Sequence, residues 1–270
     1  MPYLDARGYF RCRNLPIFIA ILLTAGGLLV DRSSAPIYAS ESDAAPNPPA
    51  GSISAIATIG EKIFFDTSLS ASGRISCATC HDPAHAFGPP NGLAVQFGGP
   101  ALNRQGMRAV PTLRYVLNRT PVWNKSFVAN PAERLLEGNE PPKGGFAWDG
   151  RFDSLHEQAA FPLLAPNEMA NDGPRDVAAK IKRAPYVSEF RKAFGARILD
   201  DPAKAFAAAL TAIERFELED LRFRPFNSKY DDYLDGKVQL SDQEQRGLAL
   251  FDDRRRGNCA SCHIDRKGAD

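Results

Sequence analysis

One short pattern occurs twice in this chain: Cys77-Ala78-Thr79-Cys80-His81 and Cys259-Ala260-Ser261-Cys262-His263. C-x-x-C-H is the attachment signature of a c-type haem, in which two thiols add across the vinyl groups and the adjacent imidazole ligates the iron. A chain built on it folds around a flat apolar group that supplies part of the core. Long stretches without regular structure are then tolerated. Two disulfides, or a four-thiolate zinc site, would use the same thiols, but neither needs a histidine directly after each pair. The chain has only four histidines, and two of them stand there.

The fifth cysteine, Cys12, lies in an opening segment with the features of an export signal. Arg7, Arg11 and Arg13 precede an apolar run over 15–30, and the small residues Ala35 and Ala39 follow. Cleavage is expected after residue 39, the other reading being an uncleaved N-terminal anchor. Export places the protein in the periplasm, outside the compartment where thiols are kept reduced. Loss of four basic and two acidic residues takes the net charge from +1 to −1. That balance argues against nucleic acid as a partner.

Residues 40–52, with Pro46, Pro48 and Pro49, read as a linker. Apolar residues at helical spacing (Ile56, Ile59, Ile63, Phe64) predict a helix over 53–65, directly before the first motif. Glycines and prolines then exclude long helix as far as Pro111. Amphipathic patterns predict helices over 153–161, 176–194 and 202–216, the last with Pro202 in its first turn. Gly247-Leu248-Ala249-Leu250-Phe251-Asp252 repeats the earlier Gly60-Glu61-Lys62-Ile63-Phe64-Phe65-Asp66, and Ser241 to Glu244 forms a capping box before it. The expected organisation is a first haem module over 53–220, a joint over 221–237 and a second module opening over 238–270. Seven residues follow His263, so that second module is expected to be incomplete.

Beyond the paired motif, the blocks Val110-Pro111-Thr112-Leu113, Trp148-Asp149-Gly150-Arg151, Asp153-Ser154-Leu155-His156-Glu157-Gln158 and Pro166-Asn167-Glu168-Met169 stand in order between the two motifs. Together they resemble the bacterial dihaem cytochrome c peroxidases, the family that includes MauG-type enzymes. The resemblance implies a mainly α fold of two cytochrome c-like modules, each with one covalent haem c. It implies attachment through Cys77, Cys80, Cys259 and Cys262, and iron ligation by His81 and His263. It makes the first haem the peroxide site, with Glu168 as general acid/base and Gln158 as a hydrogen-bonding neighbour. Trp148 matches a tryptophan on the electron path between the haems. Heterolytic cleavage of the O–O bond needs a base that takes a proton from one oxygen and returns it to the leaving one, which suits a carboxylate. On its own, Glu168 also reads as a surface glutamate, Gln158 as an ordinary polar helix residue and Trp148 as core. Met107 and Met169 read as packing or loop residues.

Three departures from the family pattern bear on function. Residues 97–109, where many relatives carry a histidine that caps the peroxide haem, contain none, and His85 is tethered too close to His81 to replace it. Residues 119–145 form an insertion. Ala109 stands where a calcium-ligating asparagine would align, which weakens the case for the interdomain calcium of relatives. The expected function is reduction of hydrogen peroxide to water with electrons from a small periplasmic donor, a cytochrome c or cupredoxin. MauG-like oxidation of a protein side chain is the alternative within the class. A purely electron-transferring dihaem cytochrome and a truncated inactive relative are the others. The resemblance also suggests a homodimer.

Overall fold

Ser54 is where regular structure begins: its Oγ accepts from the Ala57 amide at 3.1 Å and starts α1 (Ala55–Phe65). The computed structural model describes residues 52–115, 120, 122, 144–261 and 263. The export segment, all but the last residue of the linker, most of the 119–145 insertion, and Cys262 lie outside the described residues. Asp66 ends α1 in an extended conformation and caps a 3-10 turn, Thr67–Leu69. The first motif then forms the single turn α2 (Cys77–Cys80).

The loop-rich region holds only a two-residue antiparallel ladder, β1 (Phe97–Gly98) against β2 (Arg104–Gln105). After it come α3 (Leu155–Leu164), α4 (Pro174–Ile181), α5 (Val187–Phe194) and the long α6 (Pro202–Glu219). The fold is therefore mainly helical. The single helix expected over 176–194 is two helices, because Pro185 has no amide hydrogen and disfavours helical geometry at Ala184. α6 opens with Asp201 accepting from the Ala203 and Lys204 amides and Pro202 at its first position. The expected joint contains a 3-10 turn, Leu221–Phe223, and the short α7 (Lys229–Leu234). α8 (Asp242–Asp252) starts with the Ser241/Glu244 capping box, and a 3-10 turn, Cys259–Ser261, follows.

The core is made where α1 crosses α6. Gly60 permits the crossing: a Cβ there would overlap the Ala212 carbonyl and lie 2.8 Å from Phe216 Cβ. Ile59 and Ile63 of α1 and Ile213 of α6 are buried in one cluster with Ile181 and Phe190. Each such side chain contributes about 1.5–3 kcal/mol by leaving water. Phe64, Phe87, Phe216 and Phe223 form a second, aromatic cluster, with Phe87 stacked on Phe223 at a centroid distance of 4.0 Å. Glu219, at the end of α6, accepts from both the Ser54 amide (2.6 Å) and hydroxyl (3.0 Å) and thereby ties the two helices at their ends.

Asn171 joins three further segments. Its Nδ2 donates to the Leu69 carbonyl at 2.8 Å and the Leu163 carbonyl at 2.7 Å, while Lys180 donates to its Oδ1. Asn171→Ala leaves the Leu69 carbonyl without this donor, while the Leu163 carbonyl keeps the Asn171 backbone amide, at an expected loss of about 2 kcal/mol. Urea unfolding monitored by circular dichroism measures it.

α8 repeats the Gly-x-x-x-Phe spacing of α1 but buries none of its residues, and Leu250 is exposed. α1, by contrast, buries Ala57, Ile59, Gly60, Ile63 and Phe64.

Candidate active site

The motif turn, the 106–113 segment, α3 with the turn after it, and α6 enclose a cavity of about 500 Å³. That size suits an organic ligand or cofactor. Cys77, Cys80, His81, Trp148, Gln158 and Glu168, spread over more than ninety positions of sequence, all line it.

On the motif side, the Ser76 amide donates to Thr79 Oγ1 at 2.9 Å and the His81 amide to the Cys77 carbonyl at 2.8 Å, which closes the turn. Cys77 and Cys80 are free, half-buried thiols. Burial pushes the Cys77 thiol up to about 12, with Glu217 adding to the effect, and the Cys80 thiol up to about 11, with Glu168 adding to it. A pair used for disulfide exchange has a lowered thiol pKa, the opposite direction to that found here.

His81 Nδ1 lies 3.0 Å from the Phe87 carbonyl. Donation to that oxygen fixes the tautomer and leaves Nε2 with its lone pair free for a metal. Burial lowers the imidazole pKa against the opposing carbonyls of Phe87 and Pro111, so the ring is neutral, as a ligand must be. His85 is exposed, with Nδ1 2.7 Å from Asp82 Oδ2, and is absent from the cavity lining.

A second wall carries the candidate acid/base. Gln158 sits on α3, and Glu168 lies in the turn after that helix, its amide donating to the Ala165 carbonyl at 2.9 Å. Gly98 of β1 reaches this turn closely: a Cβ on it would lie 2.7 Å from Glu168 Cα. The neighbouring Gly99 amide donates to the Glu168 carbonyl at 2.7 Å. Burial raises the Glu168 carboxyl above its ordinary value. Met169 is buried in the main core and Met107 is 70% exposed.

Trp148 is not core. It is 66% exposed at the cavity rim, and its indole Nε1 donates to the Ala109 carbonyl at 2.8 Å. Beside it, Asp149 is held between Arg151 and Arg108, whose guanidinium groups keep its carboxyl well below the usual range.

The sequence reasoning missed two cavity residues, Gly98 and Glu217. Glu217 was legible as the one carboxylate next to Phe216 and four positions after Ile213, on the buried stripe of α6.

The second motif stands outside this cavity. It repeats the local turn of the first, with the His263 amide donating to the Cys259 carbonyl at 2.9 Å, and both side chains are exposed. The Phe251 ring of α8 lies 6.4 Å from the His263 ring. Cys262, the remaining attachment residue expected there, is outside the described residues.

The first cavity fits a c-type haem on its own donor set: two neutral thiols spaced for thioether formation, an oriented neutral imidazole and apolar walls.

Residues 54–239 match the family described as di-haem cytochrome c peroxidase. The methylamine utilization protein MauG of Paracoccus denitrificans is 38% identical over 218 residues, which cover 79% of this chain and 52% of that protein. The cytochrome c551 peroxidase of Nitrosomonas europaea is 30% identical over 245 residues, covering 87% of this chain and 61% of that one. The crystal structure of the diheme peroxidase BthA from Burkholderia thailandensis superposes with a TM-score of 0.66 at 32% identity, covering 82% of this chain and 52% of that chain. The chain thus spans about half the length of the curated MauG relatives it matches. With a family match across residues 54–239 and that level of identity, the chain belongs to the di-haem cytochrome c peroxidase and MauG family.

Proposed function

We propose that this chain forms the peroxide-reducing part of a dihaem c-type peroxidase. The overall reaction joins hydrogen peroxide, two protons and two electrons to give two water molecules. The observation that carries the reading is the convergence of the Cys77/Cys80/His81 turn and the Glu168 carboxyl on one largely apolar cavity. Haem bound through Cys77 and Cys80 supplies the iron redox chemistry.

The chain's own residues do the rest. His81, oriented by the Phe87 carbonyl, would offer Nε2 to the haem iron. Glu168 accepts a proton from one peroxide oxygen and returns it to the leaving oxygen, a task suited to a carboxyl whose pKa is raised by burial. Gln158 offers an amide to hold the substrate, and the apolar walls exclude bulk water. Trp148, exposed at the rim, would pass electrons toward this site from a second haem held by Cys259, Cys262 and His263. The repeat of the α1–motif layout in α8 supports that second module. The donor is a small periplasmic cytochrome c or cupredoxin, and the export segment supports that location. No helix among the described residues is long and apolar enough to cross a membrane.

A second reading, peroxide-driven oxidation of a side chain on a partner protein, draws support from the 38% identity to a MauG protein. The test is export in a strain competent for cytochrome c maturation, followed by mass measurement and steady-state assay. The expected result is haem bound at the first motif, lost in Cys77→Ser, with peroxide consumed at the expense of reduced cytochrome c. Haem binding without peroxide turnover would leave an electron-transfer cytochrome. No haem at the first motif would overturn the reading entirely.

A further inference from the structure

Among the described residues the buried polar side chains are Ser70, Ser76, Asn171, Glu217 and Asp220. Four have partners: Ser70 donates to the Thr67 carbonyl, Ser76 meets Thr79, Asn171 bridges three segments, and Asp220 accepts from Arg222. Glu217 is the exception. It is 5% exposed and lines the haem cavity beside the Cys77 turn, and its carboxyl makes no hydrogen bond among the described residues.

A buried ionised carboxylate without a donor is disfavoured, so the group keeps its proton to a higher pH than an exposed carboxyl does. Burial, with Glu214 behind it on α6, pushes its pKa up to about 8. The charged groups on the elements around it are committed elsewhere. On α1, Glu61 pairs with Arg222 and Lys62 with Glu189. On α4, Lys180 pairs with Asp176 and Asn171. On α3, His156 Nδ1 lies 3.4 Å from Thr211 Oγ1. The other ionisable side chains of the cavity are Cys77, Cys80, His81, Glu168, and Arg108 and Arg151, both arginines being turned to Asp149. Cys77 faces Glu217 from α2, and once joined to the haem it is a thioether that no longer titrates.

We infer that Glu217 is the proton-exchanging group of this cavity, taking up one proton from solvent when the haem held at Cys77 gains one electron and releasing it when that electron leaves. This rests on the haem reading proposed above. The physical basis is mutual charge compensation in a low-dielectric wall. An added electron makes the cavity more negative and favours the neutral acid, and its removal favours the carboxylate. The coupling ties the reduction potential of the first haem to pH, with Glu217 acting as a positioning residue for charge, distinct from the acid/base Glu168.

The test is spectroelectrochemical titration of the first haem from pH 6 to 10 in the haem-loaded protein and in Glu217→Gln. In the native protein the reduced-to-oxidised ratio at fixed potential is expected to fall about tenfold per pH unit where the coupling operates. In Glu217→Gln it is expected to be flat there. An unchanged slope in the variant overturns the inference, as does a flat native protein. Glu217→Leu serves the same purpose should Gln prevent folding.

A second readout needs no haem. The folded-state pKa lies above the unfolded carboxyl value of about 4.3, so the native fold binds a proton that the unfolded chain has lost. Glu217 therefore makes the folding constant fall by up to about tenfold per pH unit as pH rises between those values, a contribution that is removed in Glu217→Gln while that of Glu168 remains. If this stability slope is present but the potential is insensitive to pH, Glu217 titrates without coupling and the inference fails. If haem is absent from the first motif, the functional reading fails, and the coupling falls with it.

Discussion

Glu168→Gln is expected to lower peroxide turnover by about 10²–10⁴-fold, the usual contribution of a positioned general acid/base. The substitution is nearly isosteric and keeps the side chain able to hydrogen-bond, so the cavity wall and haem content are expected to persist. Glu168 is positioned through its backbone, by the Ala165 carbonyl on one side and the Gly99 amide on the other, and neither contact involves its carboxyl. The lost function is therefore proton transfer alone. The measurement is steady-state peroxide consumption with reduced cytochrome c, alongside the haem absorbance per polypeptide. Unchanged turnover would remove Glu168 from the mechanism. Equal loss of haem and turnover would make its role structural.

The second large effect concerns stability. Gly60→Val is expected to cost about 3 kcal/mol or more, because the new side chain would run into backbone that cannot turn aside. Gly60→Ala gains about 1 kcal/mol of helix propensity but still overlaps the Ala212 carbonyl, so it too is destabilising, by less. The repeat supplies a control. A Cβ on Gly247, the matching position of α8, meets nothing within 4 Å, so Gly247→Ala is expected to be neutral or stabilising by up to about 1 kcal/mol. Urea midpoints for the three variants provide the ranking. A Gly60→Ala protein as stable as the native one would show that the α1–α6 crossing is not set by backbone approach.

How much of this was legible in the sequence depended on whether the information was local. Apolar spacing marked α1, Pro202 the first turn of α6 and the Ser241 capping box the start of α8, to within a few positions, since each signal acts within a turn of the chain. The break between α4 and α5 was equally local, written in Pro185, and the amphipathic pattern on either side obscured it. The motif turn was legible because the C-x-x-C-H spacing is itself local. The cavity was not legible from spacing. Cys77, Gln158 and Glu168 meet only because α1 crosses α6 and because Gly98 lets β1 lie against the Glu168 turn, and both are long-range contacts. Trp148 was readable as a residue with a role but not as an exposed one. Its indole N–H is satisfied by Ala109, on a segment with no periodic signal. Glu217 was missed because α6 ends in several carboxylates, and the partly buried Glu214 and Glu219 flank the one that lines the cavity.

The clasp of Glu219 on Ser54 joins residues 165 positions apart. Contacts at that separation form late, after most of the loop-closure entropy has been spent. Until α6 docks, nothing on its side covers Cys77 and Cys80. If haem is fastened there, as proposed above, the wide separation favours an order in which the group is installed first and sealed in when α6 closes over it.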